Sequence, residues 1–284
     1  MSTPTDRVIR AVTQDGSFRV IAVRTTETAR EGIRVHGLGG DEARAFGELL
    51  TGAVLIRETM APGYRVQVVM SGEQGGSIVT DSYPDDGLTR GLVSRPCGVE
   101  RVVQGESSLL KVIRTLPQGR VHQSVVEAGA EGISEALMGY MQTSEQVTAT
   151  LGVATVMDGD RVVASGGFVV QLLPECMQGP LMVMTERLND FAQLGDFLVR
   201  HEASAETLLY ELLYGFAHER LSDEAVVYGC PCSEERALGA VATLGADEIA
   251  TAVSTGEVID LTCEYCLRVW KFGPERLATL LAPN

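Results

Sequence analysis

Two short stretches near the end of the chain decide how the rest is interpreted: YGCPCSEER at residues 228–236 and DLTCEYCLRVW at residues 260–270. They hold a Cys-x-Cys pair and a Cys-x-x-Cys pair with thirty residues between them: Cys230, Cys232, Cys263 and Cys266. Four thiolates at such spacing can occupy the corners of one tetrahedron, which is how structural zinc is bound. The spacing therefore predicts a closed zinc site with no open coordination position.

The same thiolates predict a second property. Thiolates are the form of cysteine that oxidants attack, and a metal held only by sulfur is released when the sulfurs pair as disulfides. In a reducing compartment such a set is more typical of metal binding or redox chemistry than of a permanent disulfide framework. A redox switch is the sharper hypothesis. The two remaining cysteines, Cys97 and Cys176, stand alone and are predicted to be inert thiols.

Composition sets the outer bounds. The chain of 284 residues is 45% hydrophobic, which suits one large domain and a small one. A net charge of -15 opposes a phosphate-binding surface, so no nucleic-acid partner is expected. The N-terminus, MSTPTDRVIR, has no secretory signal pattern, and no apolar run of membrane-spanning length occurs. A soluble, cytoplasmic protein without a membrane partner is expected.

The first 174 residues read as an α+β domain. Alternating runs around Asp15-Gly16 predict a hairpin, and helices are predicted over residues 26–36 and from Asp41, taken as an N-cap, to about Met60. Strands separated by turn residues such as Asp86-Gly87 follow. A helix is then predicted over 133–143, and a further hairpin around Asp158-Gly159-Asp160 ends the domain.

Residues 175–228 have a different pattern, and we interpret them as a helical linker. Their apolar residues form two stripes at helical spacing: Met184, Leu188, Phe191, Leu194 and Leu198, then Leu208, Leu209, Leu212, Leu213 and Phe216. The simpler interpretation is two core-facing helices that join domains. The sharper one is a pair of marginally stable helices that expose a sticky surface when their cover is removed. On that hypothesis the candidate client-binding residues are Met184, Leu188, Phe191, Leu194, Leu198, Leu212 and Phe216.

Residues 229–284 are predicted to form the zinc-binding domain. A helix is expected to begin at Cys232 or Ser233 as cap and a second helix to end at Gly256. A β-hairpin is then expected to present Cys263 and Cys266 at its turn. Because the segment has little apolar material for its length, zinc could supply on the order of 10 kcal/mol that packing does not.

The cysteine set resembles that of the redox-regulated heat-shock holdases known as the 33-kilodalton chaperonins. CPC, thirty residues, CEYC and the aromatic Trp270 carry the specific part of the resemblance. Other segments resemble the family in the family order: DRVIRAV, RTTETAREGIRVHG, FGELLTGAVLI, TRGLVS, ESSLLKVIR, SEALMGYMQTSEQ, GGFVVQLLPE and ETLLYELL. The resemblance covers essentially the whole chain.

The resemblance implies an ATP-independent chaperone rather than an enzyme. It implies an N-terminal α+β domain, a helical linker and a C-terminal domain with one zinc ion, whose ligands by match are Cys230, Cys232, Cys263 and Cys266. The reduced zinc form would be inactive. Oxidation would form disulfides within the two pairs, release zinc and unfold the linker. The oxidised protein, expected as a homodimer, would then hold unfolding client proteins under oxidative stress.

Two other classes of function remain open on the sequence. One is a thiol oxidoreductase using Cys263 and Cys266, which is weakened because the motif lies in a predicted hairpin and not at a helix start. The other is a zinc module for nucleic-acid or protein assembly. Eight acidic against four basic residues in 229–284 argue against nucleic acid. Pro231, Leu267 and Trp270 depart from the family pattern and leave the ease of oxidation open, without removing a ligand.

Overall fold

A computed structural model describes residues 5–84, 87–200 and 204–281. The chain divides into two compact units, Met1–Tyr228 and Gly229–Asn284. In the described residues the larger unit contains two sheets and six α-helices, and the smaller one contains three short α-helices, a 3-10 turn and a hairpin. The predicted α+β class is confirmed.

The first sheet has five antiparallel strands in the order β10-β1-β2-β9-β8. Its strands are β1 (Arg7–Thr13), β2 (Phe18–Arg24), β8 (Ala149–Asp158), β9 (Arg161–Leu172) and β10 (His218–Ala225). Both predicted hairpins are confirmed. In the first turn Gly16 has a φ of 72°, which favours glycine, and the Asp15 carboxylate accepts hydrogen bonds from the Ser17 amide and hydroxyl.

The second sheet has six strands in the order β11-β5-β4-β3-β6-β7. They are β3 (Arg65–Ser71), β4 (Ser77–Ser82), β5 (Leu88–Ser94), β6 (Leu109–Thr115), β7 (Val121–Glu127) and β11 (Val227–Tyr228). Strands β3 to β7 confirm the strands predicted between the second helix and the helix over 133–143. The predicted Asp86-Gly87 turn is described only at Gly87, because Asp86 lies outside the described residues.

A long central helix holds the two sheets together. Helices α1 (Thr26–His36), α2 (Gly40–Thr59) and α3 (Ile133–Thr143) have the predicted positions. Most residues of α2 are buried, and it packs on strands of both sheets. The predicted N-cap at Asp41 is wrong: Gly39 caps α2 in extended conformation, and Asp41 lies in the first turn, where its charge favours the helix dipole.

The other face of the first sheet is covered by helices from residues 178–212: α4 (Gln178–Asn189), α5 (Leu194–Arg200) and α6 (Ala205–Leu212). Leu208, Leu209 and Leu212 of α6 pack with Phe18 and Val20 of β2 in one apolar cluster. These helices therefore belong to the larger unit. Ser204 caps α6 by accepting a hydrogen bond from the Thr207 amide. His201 and its two successors lie outside the described residues.

The expectation of helix as far as residue 228 is wrong beyond Leu212. Gly215 has a φ of 85° and ends the helical run, and residues 218–225 form β10 along the edge of β1. Residues 227–228 form β11, parallel to β5. The sequence HERLSDEA contains no apolar periodicity of its own, so the open backbone edge of β1 decides its conformation.

The smaller unit contains α7 (Glu234–Val241), α8 (Ala246–Thr255), β12 (Ile259–Thr262), β13 (Val269–Phe272) and α9 (Pro274–Ala278). Its core holds seven buried residues: Ala237, Leu238, Val241, Ile249, Ala252, Phe272 and Leu277. The predicted hairpin, the cap at Ser233 and the stop at Gly256 are confirmed. So small a core leaves room for a metal to contribute to folding.

Candidate metal centre

The second cysteine pair lies on the turn between β12 and β13. Cys263 follows β12, its amide donates to the Arg268 carbonyl at 2.9 Å, and its carbonyl accepts from the Leu267 amide at 2.8 Å. Leu267 has a φ of 58°, a left-handed conformation that costs a branched side chain more than it would glycine. This tight knuckle brings the sulfurs of Cys263 and Cys266 to the same side of the hairpin.

The first pair lies on the segment between β11 and α7. Pro231 separates the two cysteines, and its carbonyl accepts a hydrogen bond from Arg236 Nη1 at 2.8 Å. Ser233 follows Cys232 directly and caps α7 by accepting from the Arg236 amide at 3.3 Å. The backbone of the pair is thus fixed from the helix side by one arginine. Pro231 removes a backbone donor, as the sequence indicates.

The four sulfurs converge. The Sγ atoms of Cys230, Cys232, Cys263 and Cys266 all lie within 4.8 Å of one another. Cys230 Sγ is 3.7 Å from Cys263 Sγ, and Cys232 Sγ is 3.4 Å from Cys266 Sγ. A tetrahedron with Zn–S bonds of about 2.3 Å has edges of about 3.8 Å. The donor set and its spacing therefore fit a tetrahedral thiolate-preferring ion.

Proton affinities differ across the cluster. Burial, followed by hydrogen bonding to Cys266, raises the pKa of Cys232 to about 12. Burial raises the pKa of Cys266 as well. Burial also acts upward on Cys263, but amide hydrogen bonds from Cys266 and Tyr265 outweigh it and leave the pKa of that thiol lowered. Because four adjacent thiolates repel one another, the fully ionised set requires a cation.

Two carboxylates near the cluster form ion pairs within the smaller unit. The Glu234 carboxylate lies 3.1 Å from the Arg276 guanidinium, and the Asp260 carboxylate lies 3.1 Å from the Lys271 ammonium group. The Arg268 guanidinium lies 5.3 Å from the Trp270 ring centroid. The sign of the electrostatic potential at the thiols could not be predicted from sequence, because it depends on which charged side chains the fold pairs.

The candidate client-binding residues lie elsewhere and are covered. Met184, Phe191, Leu194, Leu198 and Leu212 are at most 6% exposed, in the cluster between the helices and the first sheet. Leu188 and Phe216 are partly buried against that cluster, and Phe216 makes an edge contact with Phe18 at 5.7 Å between centroids. The structure brings the seven together in one cluster as core residues. Their role as a binding surface stays a prediction.

Sequence reasoning missed the residues that attach the chain to the larger unit just before Cys230. The Val226 amide donates to the Asp6 carbonyl at 3.0 Å, and the Tyr228 hydroxyl donates to the Gly91 carbonyl at 3.2 Å. The Asp6 carboxylate accepts from the Thr28 amide at 2.6 Å and pairs with Arg24 at 2.5 Å. Only the apolar pair Val226-Val227 beside an aromatic signalled a strand here.

The two lone cysteines take no part in the cluster. Cys97 is exposed, and Cys176 is partly buried with its sulfur near the Met177 carbonyl. Among the described residues, no helix is long and apolar enough to cross a membrane.

The fold and the site define a class of protein: an α+β unit followed along the chain by a small unit whose four thiols converge as a candidate metal centre. The family model described as Hsp33 protein matches residues 6–273. The chain belongs to the Hsp33 family, a chaperone family associated with stress.

Individual relatives agree over the full length. The chain is 26% identical to the 33 kDa chaperonin of Syntrophotalea carbinolica, with 98% of this chain and 99% of the relative covered. It is 29% identical to that of Symbiobacterium thermophilum, with 96% of each covered. The crystal structure of the 33 kDa chaperonin, a heat shock protein 33 homolog, from Thermotoga maritima superposes with a TM-score of 0.79 over 98% of each chain at 22% identity. The last match shows the shared fold.

Proposed function

We propose that this protein is a redox-regulated, ATP-independent holdase that is inactive with zinc bound and active after oxidation. The observation that carries the proposal is the convergence of four thiols in the unit with the smaller core. Family membership supports a chaperone function, and the clustered thiols support its control by oxidants. The proposed clients are unfolded or partly folded proteins.

Zinc is the proposed ion, held by Cys230, Cys232, Cys263 and Cys266. The all-sulfur donor set and near-tetrahedral spacing favour it over harder cations. When bound, zinc would supply a cross-link between the segment before α7 and the turn between β12 and β13. The four cysteines then remain ionised and shielded from one another. Because these thiols have to be reduced to bind it, we place the resting protein in the reducing cytoplasm.

Oxidation converts the ligands. Each pair of thiolates loses two electrons to one hydrogen peroxide molecule and forms one S–S bond, while the O–O bond of the peroxide breaks to give two hydroxide ions, which become two water molecules on taking up two protons. Two such steps remove all four ligands. The family resemblance implies disulfides within the pairs, 230–232 and 263–266. Peptide mapping distinguishes them from crosswise bonds, which the 3.7 Å and 3.4 Å contacts across the pairs would also allow.

We propose that loss of the metal ligands destabilises residues 175–228 through the chain that connects the two units. Tyr228 is the last residue of the larger unit, two positions before Cys230. Unfolding of the smaller unit frees the chain that follows the Val226 and Tyr228 attachments, which lowers the barrier to their release. We propose that 175–228 is the metastable segment and that its seven candidate client-binding residues then become accessible. Dimerisation of the oxidised form is part of the same proposal.

One experiment tests the function. Metal content and suppression of aggregation of a heat-unfolded enzyme are measured on the full chain before and after peroxide at elevated temperature. We expect activity only after zinc is lost, and restoration of the resting state by dithiothreitol with zinc. Equal activity in both states, or none in either, contradicts the proposal. An insulin-reduction assay is run beside it, and turnover there would favour thiol oxidoreductase chemistry instead.

A further inference from the structure

Strand β10 protects the edge of the first sheet but buries little of itself. Six of its eight residues are exposed, and Leu221, its one large apolar residue, is 52% exposed. The strand β1 beneath it is different. Val8, Ile9 and Ala11 are at most 2% exposed, and β1 also pairs along its length with β2. Removal of β10 therefore leaves β1 in place with one open edge.

What holds β10 is mainly backbone. Its register runs from Arg7 opposite Ala225 to Thr13 opposite His218, with an irregularity after Arg10. The Gln14 amide donates to the Ala217 carbonyl at 2.8 Å, which continues the ladder beyond the strand. Exposed backbone ladders without apolar cover belong to the least stable parts of a protein.

Two arginines of β1 add side-chain contacts. Arg7 pairs with Asp223 at 2.6 Å, and Arg10 Nε donates to the Ser222 hydroxyl at 2.6 Å and its Nη2 lies 3.4 Å from the Glu224 carboxylate. Arg10 also lies 3.2 Å from the buried Glu58 carboxylate, which keeps its guanidinium beside β1 when β10 is absent. The Arg7–Asp223 pair is more exposed and contributes little stability. The edge of β1 thus offers a row of backbone groups with two guanidinium groups beside it.

We propose that the edge of β1 is a docking site for an extended segment of an unfolded protein, which adds to the first sheet in the place of β10. The inference deepens the proposed holdase function and rests on it, because β10 lies within the segment that oxidation is proposed to release. When a strand adds to a sheet edge, backbone hydrogen bonds supply the affinity, so segments of many different sequences can bind. This suits a protein that binds many clients.

The present occupant shows what the edge accepts. HERLSDEA is extended, contains no proline and places the Asp223 and Glu224 carboxylates beside Arg7 and Arg10. We therefore expect bound segments to be proline-free and to carry at least one carboxylate. Proline fails because it cannot donate to the ladder.

Amide hydrogen exchange resolved by residue tests the site. The bonds at Asp6 and Gln14 show that even-numbered residues of β1 face β10, so the amides of Val8, Arg10 and Val12 report on this edge. Those of Ile9 and Ala11 face β2 and serve as the internal control. After peroxide we expect the first set to exchange at least about tenfold faster, and added reduced, carboxymethylated α-lactalbumin to restore protection. The control set stays protected throughout.

Three results overturn the docking site. The first is holdase activity without faster exchange at Val8, Arg10 and Val12. The second is exchange there that remains fast with α-lactalbumin bound. The third is protection that returns with protein concentration alone, which would assign the edge to a second copy.

A variant separates this proposal from the redox switch. Ser222 lies opposite Arg10, so Ser222→Pro removes a ladder donor without an oxidant, and Ser222→Ala keeps it. We expect Ser222→Pro to expose the Val8, Arg10 and Val12 amides and to bind α-lactalbumin with its metal retained. If those amides remain protected, or are exposed and bind nothing, the docking site is wrong. Failure of peroxide to release zinc in the parent protein contradicts only the switch.

Discussion

The two units of this protein are stabilised in different ways. The larger unit surrounds α2 with apolar side chains from both sheets, and many of them are fully buried. Among its described residues the smaller unit has seven buried residues in its core, of which two are alanines. Its four thiols, in contrast, lie within 4.8 Å of one another. Burial holds the first unit, and the proposed metal holds the second.

This difference in stabilisation indicates that an oxidant acts on the smaller unit. Apolar burial is insensitive to peroxide, whereas a thiolate cluster loses its ligands when it is oxidised. A chaperone controlled by oxidation needs one part that persists and one part that unfolds. The predictions below test that division, from the largest expected effect to the smallest.

Substitution of a ligand should give the largest effect. Cys263→Ser is expected to remove up to about 10 kcal/mol of metal-dependent folding energy, so the smaller unit unfolds without an oxidant. We expect zinc loss and faster proteolysis between residues 175 and 228. The matched control is Cys97→Ser, at an exposed thiol outside the cluster. Unchanged proteolysis after zinc loss would contradict the coupling between the units.

Loss of cover inside the larger unit comes next. Leu212→Ala removes a fully buried side chain between α6 and the first sheet and should cost about 2–5 kcal/mol. We expect residues 175–228 to open and holdase activity to appear with zinc still bound. Tyr210→Ala on the same helix, at a side chain 56% exposed, is the control. Activity in Leu212→Ala that still required zinc loss would show that the metal acts by another route.

The larger unit should also respond to pH through Glu48 on α2. Burial raises the pKa of this carboxyl from 4.5 to about 7; the Thr155 amide and Arg44 oppose the shift, and Glu135 adds to it. The folded state therefore binds the proton more tightly. Its contribution to stability is fully present below pH 4.5 and is lost as pH rises through 7.

Glu48→Gln should remove that loss. From pH 5 to pH 8 we expect the unfolding free energy of the parent protein to fall by roughly 1–3 kcal/mol more than that of the variant, as measured by urea titration. The metal content of both proteins is checked at each pH, so that the smaller unit does not contribute. A parallel pH dependence in the two proteins would contradict the assignment to Glu48.

The smallest effect concerns the helix beside the first cysteine pair. Ser233→Ala removes the cap of α7 and should cost about 1 kcal/mol. Because this cap adjoins Cys232, we expect faster zinc release to a competing chelator. Ser254→Ala, at an exposed hydroxyl inside α8, should leave the rate unchanged. Equal rates in both variants would separate the cap from the metal centre.

Most of the elements of the larger unit follow from local sequence signals. Strands with strict alternation and turns with glycine were predicted, since their period and turn chemistry are local properties. The end of α6 and the strand β10 were not, because HERLSDEA forms a strand only where β1 offers an edge. The cap of α2 was placed two residues late, since Gly39 has no side chain to signal it.

By itself the sequence determined the α+β class, the four candidate ligands and the family, because cysteine spacing and hydrophobic periodicity can be recognised without knowing the tertiary contacts. Tertiary structure decided the rest. It placed the four sulfurs at near-tetrahedral distances, buried the linker stripes against the first sheet and turned residues 218–225 into an edge strand. These outcomes depend on partners that are distant in the chain. The local sequence of a segment does not show which strand edge it will pair with or which sheet will cover it.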